Sequence, residues 1–277
     1  MLNGNPAQSI ICALISCAAA LVGLSPAIAD DEQPDFSGVW QTYREPGQGG
    51  NTSGFGAPSS SLPLTVEGRR RVEEFQQLVG PHQDNAATYC VPYGIPTMME
   101  LVAGYPIELI QRQEQLTIIF EIEGETRRVY LGDKAYPEER RFPNRQGYST
   151  GHWEGETLIV ETTSLTDGQD QRNYPHSDRA RITEHFSMEI REDGLKLINY
   201  EMTLTDEVYY TEPVTYMAKW QPLPDGQILA YNCTEEPWFK LLELRRAQLQ
   251  AGEPITATMA DVYGTEMYEA ASEATEQ

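Results

Sequence analysis

From Pro106 to Cys233 apolar and polar residues alternate with a period of two. The segments "IELIQ", "QLTIIFEIE", "TRRVYLG", "GYSTGHW", "TLIVETT", "RARITEHFSMEI", "LKLINYEMTLT", "EVYYTEPVTYMAKW" and "QILAYNC" are rich in Ile, Val, Thr, Tyr and Phe, the residues that suit a pleated, half-buried strand. Hairpin-type dipeptides separate several of them: Gly124-Glu125, Glu154-Gly155, Asp193-Gly194 and Asp225-Gly226. Strands in succession joined by short turns predict a mainly β fold, an antiparallel meander closing into a lipocalin-like barrel or a sandwich. A further strand, "DFSGVWQTY" (35–43), precedes this region. Only two segments read as helices. "LTVEGRRRVEEFQQLV" (64–79) has Thr65 as N-cap and Val72, Phe75 and Val79 at helical spacing, and "PWFKLLELRRAQLQ" (237–250) closes the domain. The prolines of "CVPYGIPTMM" (90–99) oppose regular structure there, and "REPGQGGNTSGFGAPSSS" (44–61) has loop composition.

Alternation also assigns faces. Around Gly124-Glu125, a two-residue turn would pair Phe120 with Val129 and Glu121 with Arg128. Phe120, Ile118, Val129 and Leu131 then share one face, and Ile119, Tyr130, Glu121 and Arg128 the other. Around Asp193-Gly194, one face carries Asp178, Ala180, Ile182, Glu184, Phe186, Met188 and Ile190. A two-residue turn adds Leu197, Asn199, Glu201 and Thr203 to it. If that face is interior, Asp178, Glu184 and Glu201 project among apolar groups. Interior carboxylates are costly unless paired or hydrogen-bonded, and they mark functional sites more often than chance. A slip of one residue would exchange the partner strand's faces.

The N-terminus alters the compartment. Ser9–Leu24 is a short apolar run, and "SPAIAD" follows with a small-x-small site at Ala27–Ala29. Residues 1–29 therefore read as a signal peptide cleaved after Ala29, giving a periplasmic or secreted product. A lipoprotein signal at Cys17 is the weaker alternative, because the apolar run continues to Leu24. No other run is long enough for a transmembrane segment. Residues 30–250 form one domain on this reading, and 251–277 an acidic, loosely ordered tail. A net charge of −22 repels phosphate backbones and argues against nucleic acid. Cys90 and Cys233 remain after cleavage and are expected to form a disulfide. It would close a loop of about 140 residues, worth ~4–5 kcal/mol in the chain-entropy account.

Candidate chemistry is sparse. His82 lies in loop sequence, His152 just before a turn, and His185 opposite Glu184 in the alternation. His176 and Asp178 share one side of an extended segment, so the carboxylate could orient the imidazole as in a general-base pair; a turn at the strand entry is the plainer reading. The sequence contains no HExxH, paired CxxC, G-x-S-x-G, P-loop or GxGxxG motif, so no metal and no cofactor is predicted.

Together, "DFSGVW", "LTVEGRR", "CVPYGIPTMM", "GHWEGETLIVETT", "PHSDRARITEHF" and "YNC" resemble an uncharacterised family of secreted or periplasmic β-rich proteins of environmental Gram-negative bacteria, over about residues 35–235. The resemblance implies export and a β-rich fold, but no reaction. It takes in Arg128, Tyr130, Trp153–Glu156, His176–Asp178 and Glu184. It departs at "GDKAYP" (132–137), where relatives carry a histidine before the proline. The expectation is thus an exported barrel that binds a small organic molecule, aromatic or terpenoid-like, in a cavity walled by Trp153, Phe186 and Glu201. His176, Asp178 and Glu184, with Arg128 or Tyr130, would supply cofactor-independent acid–base chemistry of the lyase, hydratase or isomerase kind. The alternatives are a non-catalytic small-molecule binder or an envelope interaction module. Oligomeric state is open.

Overall fold

Over most of the region with a period of two the chain forms strands, and most of them close into one barrel. The computed structural model describes residues 33–45, 61–80, 90–102, 104–169, 175–231 and 235–263. The signal-peptide reading, Cys12, Cys17, His82, Cys233 and the end of the tail lie outside the described residues. The elements in chain order are β1 (Gly38–Tyr43), α1 (Val66–Val79), α2 (Thr97–Leu101), β2 (Ile107–Arg112), β3 (Gln115–Phe120), β4 (Thr126–Leu131), β5 (Tyr148–Glu154), β6 (Thr157–Thr163), β7 (Gly168–Gln169), β8 (Pro175–His176), β9 (Arg181–Ile190), β10 (Lys196–Thr205), β11 (Val214–Pro222), α3 (Glu236–Ala251) and α4 (Met259–Tyr263). Around the barrel the order is β1-β11-β10-β9-β6-β5-β4-β3-β2, with β2 pairing back to β1. The barrel is chosen over the sandwich, which leaves no open edge in this sheet. The meander is broken once, because β4 and β5 run parallel and residues 132–147 must return along the wall. β7 and β8 form a separate ribbon between β6 and β9.

Two turns set registers that differ from the expected ones. After Phe120 the chain makes a 3-10 turn, Ile122–Gly124, in which Glu123 (φ 61°) and Gly124 (φ 62°) are both left-handed. Val129 consequently pairs with Leu116, and Arg128 with Thr117. The shift is even, so the faces survive, but the Glu121–Arg128 pair does not form. The second difference matters more. Arg191 and Leu195 close a three-residue loop in which Gly194 takes φ 83°, a type of connection that adds a bulge. Phe186 therefore faces Tyr200 and Glu184 faces Met202. This one-residue slip turns Ile198, Tyr200, Met202 and Leu204 inward, and places Glu201 on the outside.

The inward side chains fill the barrel. Leu116, Ile118, Phe120, Val129, Leu158, Val160, Ile182, Phe186, Ile198, Tyr200, Met202, Leu204 and Trp220 are all nearly inaccessible and form one cluster. Phe186, Tyr200 and Trp220 pack ring to ring at its centre, with centroids 4.8–6.0 Å apart. Helix α1 lies against the loop before β11. Thr65 Oγ1 accepts from Gly68 N (3.0 Å) and donates to Val208 O (2.7 Å). The helix comes so close that a Cβ on Gly68 would sit 2.3 Å from Tyr209 O. A second, smaller apolar cluster joins Val79 to Trp238, Leu241, Leu242, Ala257 and Met259. Arg245, buried beside it, donates to Ala257 O (2.9 Å). Within the segment expected to hang loose from residue 251, Ala257, Met259 and Val262 thus pack onto this cluster. Gln227–Tyr231, read as strand, is not one; Leu229 N donates instead to Glu121 Oε2 (3.0 Å).

Candidate functional site

A barrel of apolar side chains contains one charged cluster. Arg127 enters from β4, between the outward Thr126 and Arg128, and Glu184 enters from β9. Their side chains are 1% and 0% exposed. Arg127 Nη1 donates to Glu184 Oε1 (2.8 Å), and Nη2 donates to Oε2, so the guanidinium grips the carboxylate with two parallel bonds. Tyr200 Oη donates to the same Oε1 (2.7 Å). Behind the pair, Arg127 Nε and Nη2 reach Ser149 Oγ (3.1 and 3.0 Å), and Nη2 reaches Thr162 Oγ1 (2.8 Å). Ser149 and Thr162 are themselves 2.8 Å apart. Burial pulls the Arg127 pKa down, but the charge and hydrogen bonds of Glu184 outweigh it and hold it above the ordinary value. Burial, and then the Glu184 charge, push the Tyr200 hydroxyl well above its ordinary value, so it stays a neutral donor. Each oxygen of Glu184 is engaged from inside the core. That arrangement balances a charge pair in a dry interior; a substrate would have to displace packed side chains to reach it.

Sequence reasoning found Glu184 and its inward facing but chose Arg128 in place of Arg127. The signal was present: Arg127 alternates with Val129 and Leu131, which were assigned to the apolar face. An arginine there is the natural complement of an inward carboxylate. Tyr200 was missed through the register slip at Gly194. Arg128 is exposed on the outer wall. Glu201 is also outside, 3.7 Å from His185. Asp178 is exposed in the turn before β9 and does not join Glu184. Phe186 is wholly buried, and Trp153 stacks on Phe36 at 5.7 Å. Phe186 belongs to the packed core, and Trp153, partly buried, packs against it.

His176 stands apart from the ion pair. It lies on β8, 6% exposed, with Asp206, Asp167 and Arg71 as charged neighbours. Its Nδ1 has no hydrogen-bond partner among the described residues. Asp206 is occupied by Ser177 N (2.7 Å), Ser177 Oγ (2.9 Å) and Val208 N (3.0 Å), so it serves the turn rather than the imidazole. Asp167 accepts from Tyr209 Oη (2.8 Å) and lies 3.4 Å from Arg71 of α1. Burial lowers the His176 pKa to about 4, against the opposing pull of Asp206 and Asp167. The imidazole is neutral where it is.

Tyr130 leads to a different kind of site. On the outer wall it stacks on Tyr148 with centroids 5.0 Å apart, and Tyr148 stacks on Tyr136 at 6.4 Å. Tyr136 N donates to Tyr148 Oη (2.7 Å). Arg140 lies 4.6 Å above the Tyr136 ring and Arg141 4.8 Å above Tyr148, as cations do over aromatic faces. Arg141 Nε also donates to Tyr136 O (2.9 Å), tying the crossing loop to the rack. The three tyrosines border a groove of about 530 Å³, completed by Arg112–Gln115 and Lys134. That volume lies within the range of small-molecule sites. Among the described residues, no group of three or more His, Cys, Asp and Glu side chains is placed to hold a metal ion, and no helix is long and apolar enough to cross a membrane. Compared with known proteins, the chain matches no family model and no curated sequence.

Two outcomes test the roles assigned to the interior groups. Removing one member of the buried pair leaves the other uncompensated. Glu184→Gln and Arg127→Met should each cost about 3–5 kcal/mol in urea denaturation. Arg127→Met/Glu184→Leu should be more stable than either single variant; singles that cost under about 1 kcal/mol would contradict the structural role. For His176, the unfolded chain takes up its proton first, near the ordinary 6.5, and the folded chain only near 4. The stability linked to the neutral ring is complete above pH 6.5 and is lost as pH falls to about 4. His176→Gln should flatten stability across that window relative to the parent chain. Parallel pH curves would contradict burial of a neutral imidazole.

Proposed function

We propose that this chain is an exported, non-catalytic binding protein, with the closed barrel as a rigid scaffold and a small aromatic molecule taken up on its outer wall. The observation that carries this reading is the tyrosine groove. It joins three aromatic rings with amide side chains, two cationic heads and the Glu114 carboxylate in one hollow, flat aromatic surface beside polar groups that can orient a small molecule. Enclosure of the ligand inside the barrel is not favoured, because the ring-on-ring core occupies the interior. Acid–base catalysis by Glu184 is not favoured either, since both its oxygens are engaged by Arg127 and Tyr200 in an inaccessible interior. Tyr130 therefore keeps a role, as a stacking platform rather than as an acid.

Export is supported by the sequence of residues 1–29 and by Cys90, one of the two cysteines left after it, whose oxidation to a disulfide would suit an oxidising compartment. We assign Cys233 as its partner. Chain segments flanking both cysteines meet at one place. Tyr93 N donates to Glu123 Oε2 (2.8 Å), and Leu229 N to Glu121 Oε2 (3.0 Å), on the same turn. Arg145 O accepts from Ile95 N (3.0 Å), and Arg145 Nη1 donates to Glu235 Oε2 (2.9 Å). Non-reducing peptide mapping should return a Cys90–Cys233 linked peptide; Cys233 recovered as a free thiol would refute the assignment.

Binding is tested by calorimetric titration of substituted benzenoid compounds into the parent chain and Tyr130→Ala. Loss of one ring face should weaken binding at least tenfold, with little change in folding stability because Tyr130 is outside the core. A ligand held equally by both chains would move recognition away from this groove.

A further inference from the structure

We infer that the groove selects an aromatic carboxylate, its ring lying against the Tyr130 face and its carboxylate on the Arg112 guanidinium. This rests on the groove being the binding site, and adds the charge of the occupant. The chain carries 42 acidic and 20 basic side chains, so its general field repels anions. The groove is a local exception. Arg112 ends β2, is exposed, and pairs in register with Gln115; it has no acidic partner among the described residues. Glu114, the acid of the groove, is 3.3 Å from Lys134 and is balanced by it. Arg140 and Arg141 add two positive charges above the neighbouring rings.

The shape follows from the same contacts. Tyr148 is covered by Tyr130, Tyr136 and Arg141, and Tyr136 is covered by Arg140. Tyr130 is the rung at the end of this stack. Across the sheet it is paired with Gln115, whose Nε2 donates to Thr117 Oγ1 (2.6 Å). A flat ring extends the stack at its Tyr130 end, and a carboxylate on that ring meets a guanidinium with two parallel donors, the geometry arginine is built for. A neutral aromatic gains the stack alone.

The test is isothermal titration of the purified chain with 4-methoxybenzoate and its neutral counterpart, 4-methoxybenzamide, at low salt and at 0.5 M NaCl. The acid should bind at least tenfold tighter than the amide at low salt. Arg112→Gln should abolish that difference, and salt should weaken the acid more than the amide. If both compounds bind equally and both lose affinity in Tyr130→Ala, the groove is an aromatic site without charge selection, and this inference fails while the binding function stands. If neither binds saturably, both fail.

Discussion

A guanidinium and a carboxylate held together in an apolar barrel are the constraint on which the rest of the molecule depends. Neither Arg127 nor Glu184 is tolerable alone at under 2% exposure, since an unpaired ion in such a place costs several kcal/mol. Their pairing fixes more than charge. The two residues lie on β4 and β9, with β5 and β6 between them in the barrel. Those intervening strands supply Ser149 and Thr162, which take up the remaining arginine donors. A polar chain thus runs across four adjacent strands and on to Tyr200 of β10. A one-residue slip in any of these strands would send its member outward. The network acts as a register device as much as a stabilising one, and the parallel pair β4 with β5 falls within it.

This changes what the inward carboxylate means. An acidic group on an apolar face is a reasonable flag for chemistry, and the flag pointed to the correct strand. What decides its role is the other hydrogen-bonding partners, and these come from residues remote in sequence. Glu184 meets a residue 57 positions earlier and another 16 later, both contributed by the core. A satisfied network of this sort specifies a structure. The surface of the same strands carries the contrasting arrangement: Tyr130 is one residue from Val129 of the core, yet its ring stands on the outer wall against Tyr148.

Alternation along the chain was enough to predict a mainly β fold, a barrel or a sandwich, and the inward Ile182, Glu184 and Phe186, while helical spacing predicted the N-capped helix from Thr65 and the closing helix. Local patterns of this kind are read one strand at a time. What failed depended on turn geometry and long-range closure. Gly194 in a left-handed conformation adds a residue to the β9–β10 loop and reverses Glu201 and Tyr200, although Asp193-Gly194 has the composition of a two-residue turn. Glu123 is also left-handed, without being glycine, and no composition rule marks it. The β4–β5 parallel pairing follows from the path of residues 132–147, which brings Tyr136, Arg140 and Arg141 beside Tyr148. The groove was therefore invisible as a unit, though Tyr130 had been noted singly.

The central claim is that the interior is a closed, structural core and that recognition is external. Chemical-shift mapping with a bound aromatic acid addresses both halves at once. The account predicts perturbed amides at Gln113–Gln115, Tyr130, Tyr136 and Tyr148, and unmoved methyl groups of the inward Ile118, Val160, Ile182 and Met202. Shifts concentrated in those methyls, with a quiet outer wall, would place the ligand inside the barrel and contradict the account.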